Sequence, residues 1–351
     1  MIKGCAALVW TPDAVRVLTS CSEFDLRLAI DRRDRFGLRL WSDYAGLLYV
    51  RVIDERRPLW ISADKGATFK AIPLIPAEEK PVSAYNCKLH PASGIISALG
   101  CDRAWIYDGV SGQWGSRELP PDMHVKDVSI DAKQGFWYAG SVHSQRIPGE
   151  KTEAAMRYQP APGAPFQPRS PRLSYADAVK VIKEGGLTEL RTVDAEGEPV
   201  IATSLCAWLL EDSSSFIFVF DSDRTFASRL KDELISHVDR SSNLLRIFTY
   251  QGSVWERNGS RWEQRDSLVG PIKRSLKVSK QTVLVRGLDV RQGKIAAAVE
   301  VGPPGAIDVA PDPELTAVCF STDNGKSFEL AHQEMSRSGA EIQDVVWIGQ
   351  E

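Results

Sequence analysis

The sequence predicts an all-β chain. Short runs rich in β-branched and aromatic residues recur from end to end, spaced by about ten residues and bounded by Gly, Pro, Asp, Asn or Ser. One octapeptide pattern also occurs twice, each time between the same kinds of run.

Taken in order, Ala6 to Thr11, Ala14 to Ser20 and Asp25 to Asp31 read as three N-terminal strands. Leu47 to Ile53, Pro58 to Ser62, Gly94 to Leu99, Arg103 to Tyr107, Phe136 to Val142, Phe216 to Phe220, Leu244 to Tyr250, Ile295 to Val301 and Thr316 to Ser321 follow. Asp344 to Gly349 is a last strand near the end of the sequence. Tight turns separate several of them. Asn258-Gly259 lies between Trp255 and Trp262, and Asn-Gly supplies the positive φ of a hairpin turn. Asp108 to Gly112 and Asp194 to Gly197 fit the same role. Helical signals are few. Tyr175 to Glu184 reads as a short helix capped by Ser174 or as an inner strand, and Thr225 to Ile235 is equally ambiguous. Pro160 to Pro171 holds five prolines in twelve residues and reads as a surface loop.

The repeated octapeptides are Ser62-Ala63-Asp64-Lys65-Gly66-Ala67-Thr68-Phe69 and Ser321-Thr322-Asp323-Asn324-Gly325-Lys326-Ser327-Phe328. Both follow Ser-x-Asp-x-Gly-x-Thr/Ser-Phe. An apolar strand precedes each (Leu59 to Ile61; Val318 to Phe320), and a short strand follows each (Lys70 to Ile72; Glu329 to Ala331). The pattern specifies a turn locally. Glycine supplies positive φ, the Asp side chain accepts nearby amides, the hydroxyl adds a second bond, and the Phe anchors the turn beneath it.

In these residues the chain resembles the Asp-box family, also called BNR repeats, found in sialidases, sortilin-type receptors and many bacterial propellers. The resemblance covers the two octapeptides and their flanking strands. It implies a β-propeller with each box between the third and fourth strands of a blade. It also implies a structural role for Ser62, Asp64, Gly66, Thr68, Phe69, Ser321, Asp323, Gly325, Ser327 and Phe328, without chemistry. Five blades of about 40–50 residues nearly span the distance from Asp64 to Asp323. The expected fold is one propeller domain over 1–351, with seven blades preferred and six as the alternative. The expected blades are 36–75, 82–120, 124–169, 173–235, 237–268 and 280–332, plus a mixed one. That blade joins the C-terminal strand to the N-terminal strands, which removes free sheet edges.

Composition narrows the function. The chain has 351 residues, 43% hydrophobic and 25% charged, with a formal net charge of -3. No global basic field draws nucleic acid or an anionic membrane. The longest apolar runs fall well short of the roughly 18 residues of a membrane span. Met1 to Trp10 reads as a strand ended by Thr11-Pro12-Asp13, not as a signal peptide, so a cytoplasmic location is expected. Cys5, Cys21, Cys87, Cys101, Cys206 and Cys319 form no CxxC pair and read as small buried thiols.

Catalytic signatures are weak. Sialidases carry an Arg-Ile-Pro motif ahead of the first box; here Arg146-Ile147-Pro148 follows it, and Gln145 replaces the usual aromatic. The residues also single out no Tyr-Glu nucleophile pair. Glycoside hydrolysis needs two carboxylates at a set distance, and 46 acidic residues, Glu118, Asp127 and Asp131 among them, offer no choice. His90, His124, His143, His237 and His332 form no HxH or HExxH pattern, so no metal and no cofactor is expected. The arginines from Arg27 to Arg57 interleave with acids and read as a salt-bridged face. The expectation is a non-catalytic propeller that binds a protein partner through one face or its rim loops, as an assembly factor or inhibitor would. The alternative is a carbohydrate-active propeller, hydrolase or lectin, using the central funnel.

Overall fold

Pairing of sequence neighbours dominates the architecture. The computed structural model describes residues 5–20, 22–31, 37–43, 45–52, 59–72, 87–90, 94–100, 103–109, 111–130, 134–142, 153–168, 190–193, 200–205, 214–221, 224–231, 235–241, 244–258, 261–304, 313–335 and 339–348. Among them, strands form four-stranded sheets in which each strand bonds to the next along the chain. The first three strands are β1 (Cys5–Trp10), β2 (Val15–Leu18) and β3 (Glu23–Asp25). The next sheet holds β4 (Arg39–Ser42), β5 (Leu48–Arg51), β6 (Leu59–Ser62) and β7 (Lys70–Ile72). Then come β8 (Cys87–His90), β9 (Ile95–Leu99), β10 (Arg103–Asp108) and β11 (Gln113–Glu118), followed by β12 (His124–Ile130), β13 (Phe136–Val142), β14 (Glu153–Gln159) and β15 (Gln167–Pro168). The fifth group is β16 (Leu190–Val193), β17 (Val200–Leu205), β18 (Ser214–Asp221) and β19 (Arg224–Lys231). The sixth is β20 (Ile235–Ser241), β21 (Leu244–Thr249), β22 (Ser253–Asn258) and β23 (Arg261–Ser267). The helix α1 (Val269–Leu276) leads to β24 (Thr282–Arg291), β25 (Lys294–Gly302), β26 (Leu315–Ser321) and β27 (Glu329–Met335), and β28 (Glu341–Trp347) is the last strand. The described residues thus form seven such sheets. Up-and-down four-stranded sheets repeated along a chain are the architecture of a β-propeller.

The strand at the far end of the sequence does what was expected of it. β28 pairs antiparallel with β1, from Cys5↔Trp347 to Trp10↔Glu341, giving the order β28-β1-β2-β3. A sheet built from both ends of the chain resists fraying at either one.

Two compact units divide the chain. One comprises Met1–Ala77, Arg246–Glu256 and Gln264–Glu351, the other Glu78–Leu245 and Arg257–Glu263. In the first, alternate residues of β1 point into two different cores. Leu8, Leu48 and Val50 join Trp10, Val17 and Trp60 in one, while Ala7, Val9, Ala296 and Ala298 meet Ile342, Val345 and Trp347 in another. Such strands are buried on both faces and read as nearly continuous apolar runs, such as Cys5-Ala6-Ala7-Leu8-Val9-Trp10. In the second unit, Leu99, Ala104, Val128, Ile130, Phe136 and Tyr138 form a comparable core.

Thr225 to Ile235 resolves chiefly as the strand β19. The segments 175–184 and 146–148, and the Asn258-Gly259 turn, lie outside the described residues in whole or part. The helix α1 was not foreseen. Its sequence, Val-Gly-Pro-Ile-Lys-Arg-Ser-Leu, holds a glycine and a proline. Pro271 sits in the first turn, where no intrahelical N–H bond is lost. The helix ends at Lys277 with φ 57°. There the Val278 N–H donates to the Lys273 carbonyl at 3.0 Å, and Lys273 and Arg274 favour the negative helix end.

The two octapeptide turns coincide bond for bond. Each connects the third and fourth strands of its sheet, β6 to β7 and β26 to β27. Gly66 and Gly325 adopt φ +89° and +87°, each after a second left-handed residue, Lys65 or Asn324. A methyl group added at Gly66 would meet Thr19 Cγ2 at 2.7 Å; at Gly325 it would meet Leu268 Cδ2 at 2.9 Å and Ile295 Cδ1 at 3.2 Å. Gly293, at φ +81°, has open space around it. We predict that Gly293→Ala costs only the left-handed strain of about 1 kcal/mol. Gly66→Ala and Gly325→Ala will cost visibly more, and urea denaturation midpoints measure the order.

Candidate functional site

Each octapeptide closes on itself through its Ser and Asp. The Ser62 hydroxyl donates to Asp64 Oδ1 at 2.8 Å and accepts the Gly66 N–H at 2.8 Å. Asp64 also accepts the Thr68 N–H at 2.8 Å and the Thr68 hydroxyl at 2.5 Å. Ser321, Asp323, Gly325 and Ser327 repeat these four bonds at 2.8, 2.8, 2.9 and 2.6 Å. Donation by Thr68 or Ser327, first from the hydroxyl and then from the backbone, holds both exposed carboxyls down at about 2. Phe69 and Phe328 are buried beneath the turns, and Phe69 meets Phe24 at 5.2 Å between ring centroids. Ser22 donates to the Gly66 carbonyl at 3.2 Å, and Asn324 donates its N–H to Gly293 at 3.0 Å while accepting from Arg246. The sequence-predicted residues are therefore committed to turn closure and to docking the turn. The structure does not bring the two octapeptides into one site.

A second polar group, missed by sequence reading, sits on the first strands β4, β24 and β28. The buried carboxylate of Asp344 accepts the Leu40 N–H at 3.0 Å on one oxygen and its neighbour Val345's N–H at 2.9 Å on the other. Asp289 accepts the Trp347 N–H at 2.8 Å and pairs with Arg291 at 3.1 Å. Arg291 continues to the Ser42 carbonyl at 2.9 Å. Three sheets are thereby tied through their first strands. Asp43 is similarly occupied, by the Leu47 N–H at 2.8 Å and the Tyr49 hydroxyl at 3.1 Å.

Bulges aim these acids. Register shifts leave one extra residue before Asp344 in β28 and before Asp127 in β12. Asp127 repeats the local bond, accepting the Val128 N–H at 2.9 Å. In β24 the corresponding shift precedes Gly287. A methyl group there would lie 2.2 Å from Asp344 Oδ1, so glycine at this point makes room for the acid of the adjoining strand. The available sequence signal was Ile342-Gln343-Asp344-Val345 beside Val125-Lys126-Asp127-Val128: an acid inside an apolar strand, where Asp is depleted.

Burial pushes the Asp344 carboxyl up to about 6, with Arg39 and the Leu40 and Val345 amides opposing and Asp289 reinforcing the shift. Asp344 accepts one bond from Leu40 of another sheet and one from Val345 of its own strand, and Asp289 accepts from Trp347 of another sheet and from Arg291. That arrangement can hold sheets together. Desolvation likewise raises the thiols of Cys5 and Cys319 to about 12, the state of inert core residues, and Cys87 is buried as a free thiol as well. Among the described residues no group of three or more His, Cys, Asp or Glu side chains could hold a metal, and no helix is long and apolar enough to cross a membrane.

The outer edge is different in character. β27 is the last strand in the order β24-β25-β26-β27. Among the described residues, the exposed large hydrophobic side chains are Leu330, 40% exposed, and Met335, 51% exposed, both on this strand. A bulge at Ala331 sets Leu330, Gln333 and Met335 opposite Cys319, Ala317 and Leu315, on one face. Glu329, His332 and Glu334 stand opposite Phe320, Val318 and Thr316, on the other.

No protein-family description and no curated protein sequence matches the chain. Solved structures do. An acylaminoacyl peptidase from Pyrococcus horikoshii is similar at 8% identity and a TM-score of 0.53, over 95% of this chain and 51% of its own. The chain thus spans about half the length of that peptidase. The β-propeller domain of the Trilobed protease from Pyrococcus furiosus is similar at 10% identity and a TM-score of 0.48, over 95% and 96% of the two chains. YCF48 bound to D1 peptide is similar at 9% identity and a TM-score of 0.44, over 87% and 93%. The fold is a β-propeller. These likenesses speak to the fold alone.

The acids separate by environment, which gives two predictions. Carbon-detected NMR titration will place the side-chain midpoints of Asp64 and Asp323 near pH 2 and that of Asp344 near pH 6. For Asp344 the folded value lies above the ordinary 3.8. Its contribution to stability is therefore full below about pH 3.8 and lost as pH rises through about 6. Relative to Asp344→Asn, the native chain will gain about 2–3 kcal/mol between pH 7 and pH 4, read from paired urea melts.

Proposed function

We propose that this chain is a non-catalytic, seven-bladed propeller of the Asp-box type, soluble and cytoplasmic, that binds a protein partner. The observation that carries the reading is the apolar strip on β27: Leu330 and Met335 are exposed on one face of the outermost strand of a sheet. An outer strand offers its backbone edge to another chain, and apolar side chains beside that edge supply the surface to be buried. Leu330 and Met335 are 40% and 51% exposed, so burying the rest of each contributes about 1 kcal/mol. The acids Asp289 on β24 and Asp344 on β28 support the same reading, because each accepts an N–H from a strand of another sheet.

The experiment is site-specific cross-linking. A photo-reactive residue at Gln333, between the two apolar side chains on their face, will trap a discrete protein in the native cell. Leu330→Glu combined with Met335→Glu will lower the adduct about tenfold without changing the thermal midpoint of the isolated chain. An adduct unaffected by the pair, or turnover of any fluorogenic glycoside by the purified chain, overturns the reading.

A further inference from the structure

The two faces of β27 differ in charge as well as in polarity. On the face of Leu330, Gln333 and Met335, the strand beneath contributes Ala317 and Cys319 to the core shared with Leu268 and Ile272, next to α1. On the opposite face, Val318 belongs to the core shared with Cys5, Ala7 and Trp347. The β27 residues above that core are Glu329, His332 and Glu334. His332 Nε2 lies 2.9 Å from Glu334 Oε1, so one acid already attracts a nitrogen base on this face, while Glu329 is exposed.

From this, and resting on the protein-binding reading above, we propose that β27 takes up an extended partner segment that alternates apolar and basic residues. A strand added to an edge repeats the two-residue period of the strand it joins. Its residues on one face then stand beside Leu330 and Met335, and those on the other beside Glu329 and Glu334. Apolar contacts suit the first face. Lysine or arginine suits the second, since opposite charges across a strand pair attract and like charges repel. An acidic segment would meet Glu329 and Glu334 with like charge, which supplies specificity as well as affinity.

Fluorescein-labelled nine-residue peptides on the full chain test the proposal: alternating Val-Lys, alternating Val-Glu, and Val-Lys with proline at the centre. The Val-Lys peptide will bind about tenfold more tightly than Val-Glu, and proline will abolish the binding by removing an edge N–H. Glu329→Lys with Glu334→Lys will reverse the preference. Glu329 is exposed and Glu334 half-buried beside His332, so circular dichroism of the variant checks that its fold matches the native chain. Equal binding of the two charged peptides, or an unreversed preference in the variant, overturns the charge assignment while leaving the protein-binding reading to the cross-linking result. Val-Lys binding that survives proline, or no binding of any peptide, overturns strand addition at β27.

Discussion

The pairing of β28 with β1 is the interaction on which the described architecture most depends. It joins residues near opposite ends of the sequence, from Cys5↔Trp347 to Trp10↔Glu341, in the order β28-β1-β2-β3. It also sets the depth at which Asp344 sits. Once β28 is paired, the extra residue Gln343 turns the Asp344 carboxylate toward the Leu40 amide. Trp347 meanwhile offers its own amide to Asp289. Burying a carboxylate costs several kcal/mol. Two charge-assisted N–H bonds, each contributing about 1.5–3 kcal/mol, offset most of that. The balance leaves the carboxyl raised to about 6 by its burial, and the acid's position makes the glycine at 287 a spatial requirement of its neighbour.

One residue type thus does two jobs in this fold. Asp64 and Asp323 stand in water and are held ionised by hydroxyl and amide donors within their own turn. Asp344 stands out of water and serves a different sheet through the Leu40 amide. The first kind fixes the connection between a third and a fourth strand. The second fixes a first strand against its neighbours. On the outer strand β27, apolar and acidic side chains separate onto two faces, with Leu330 and Met335 exposed.

The turns were legible because the bonds that close them lie within eight residues, between hydroxyl, carboxylate and glycine of one loop. The strand after Phe328 was legible too, as a short run beginning Glu329-Leu330-Ala331. Its exposure was not. Leucine and methionine on a strand read as core until the sheet order shows that no described strand pairs beyond β27. The helix α1 escaped notice because Gly270 and Pro271 argue against a helix, and its stability comes from Leu268 and Ile272 packing into a distant core.

What the amino-acid sequence determined by itself is whatever short-range chemistry enforces: the all-β character, through β-branched and aromatic runs between turn residues, and the two reverse turns with their left-handed glycines. Tertiary structure alone decided which acids are buried, which glycine must yield space, and which strand edge faces outward. Those outcomes depend on residues far apart in the chain. Asp344 and Leu40 meet across 304 positions of the chain, and no local pattern encodes a contact of that kind.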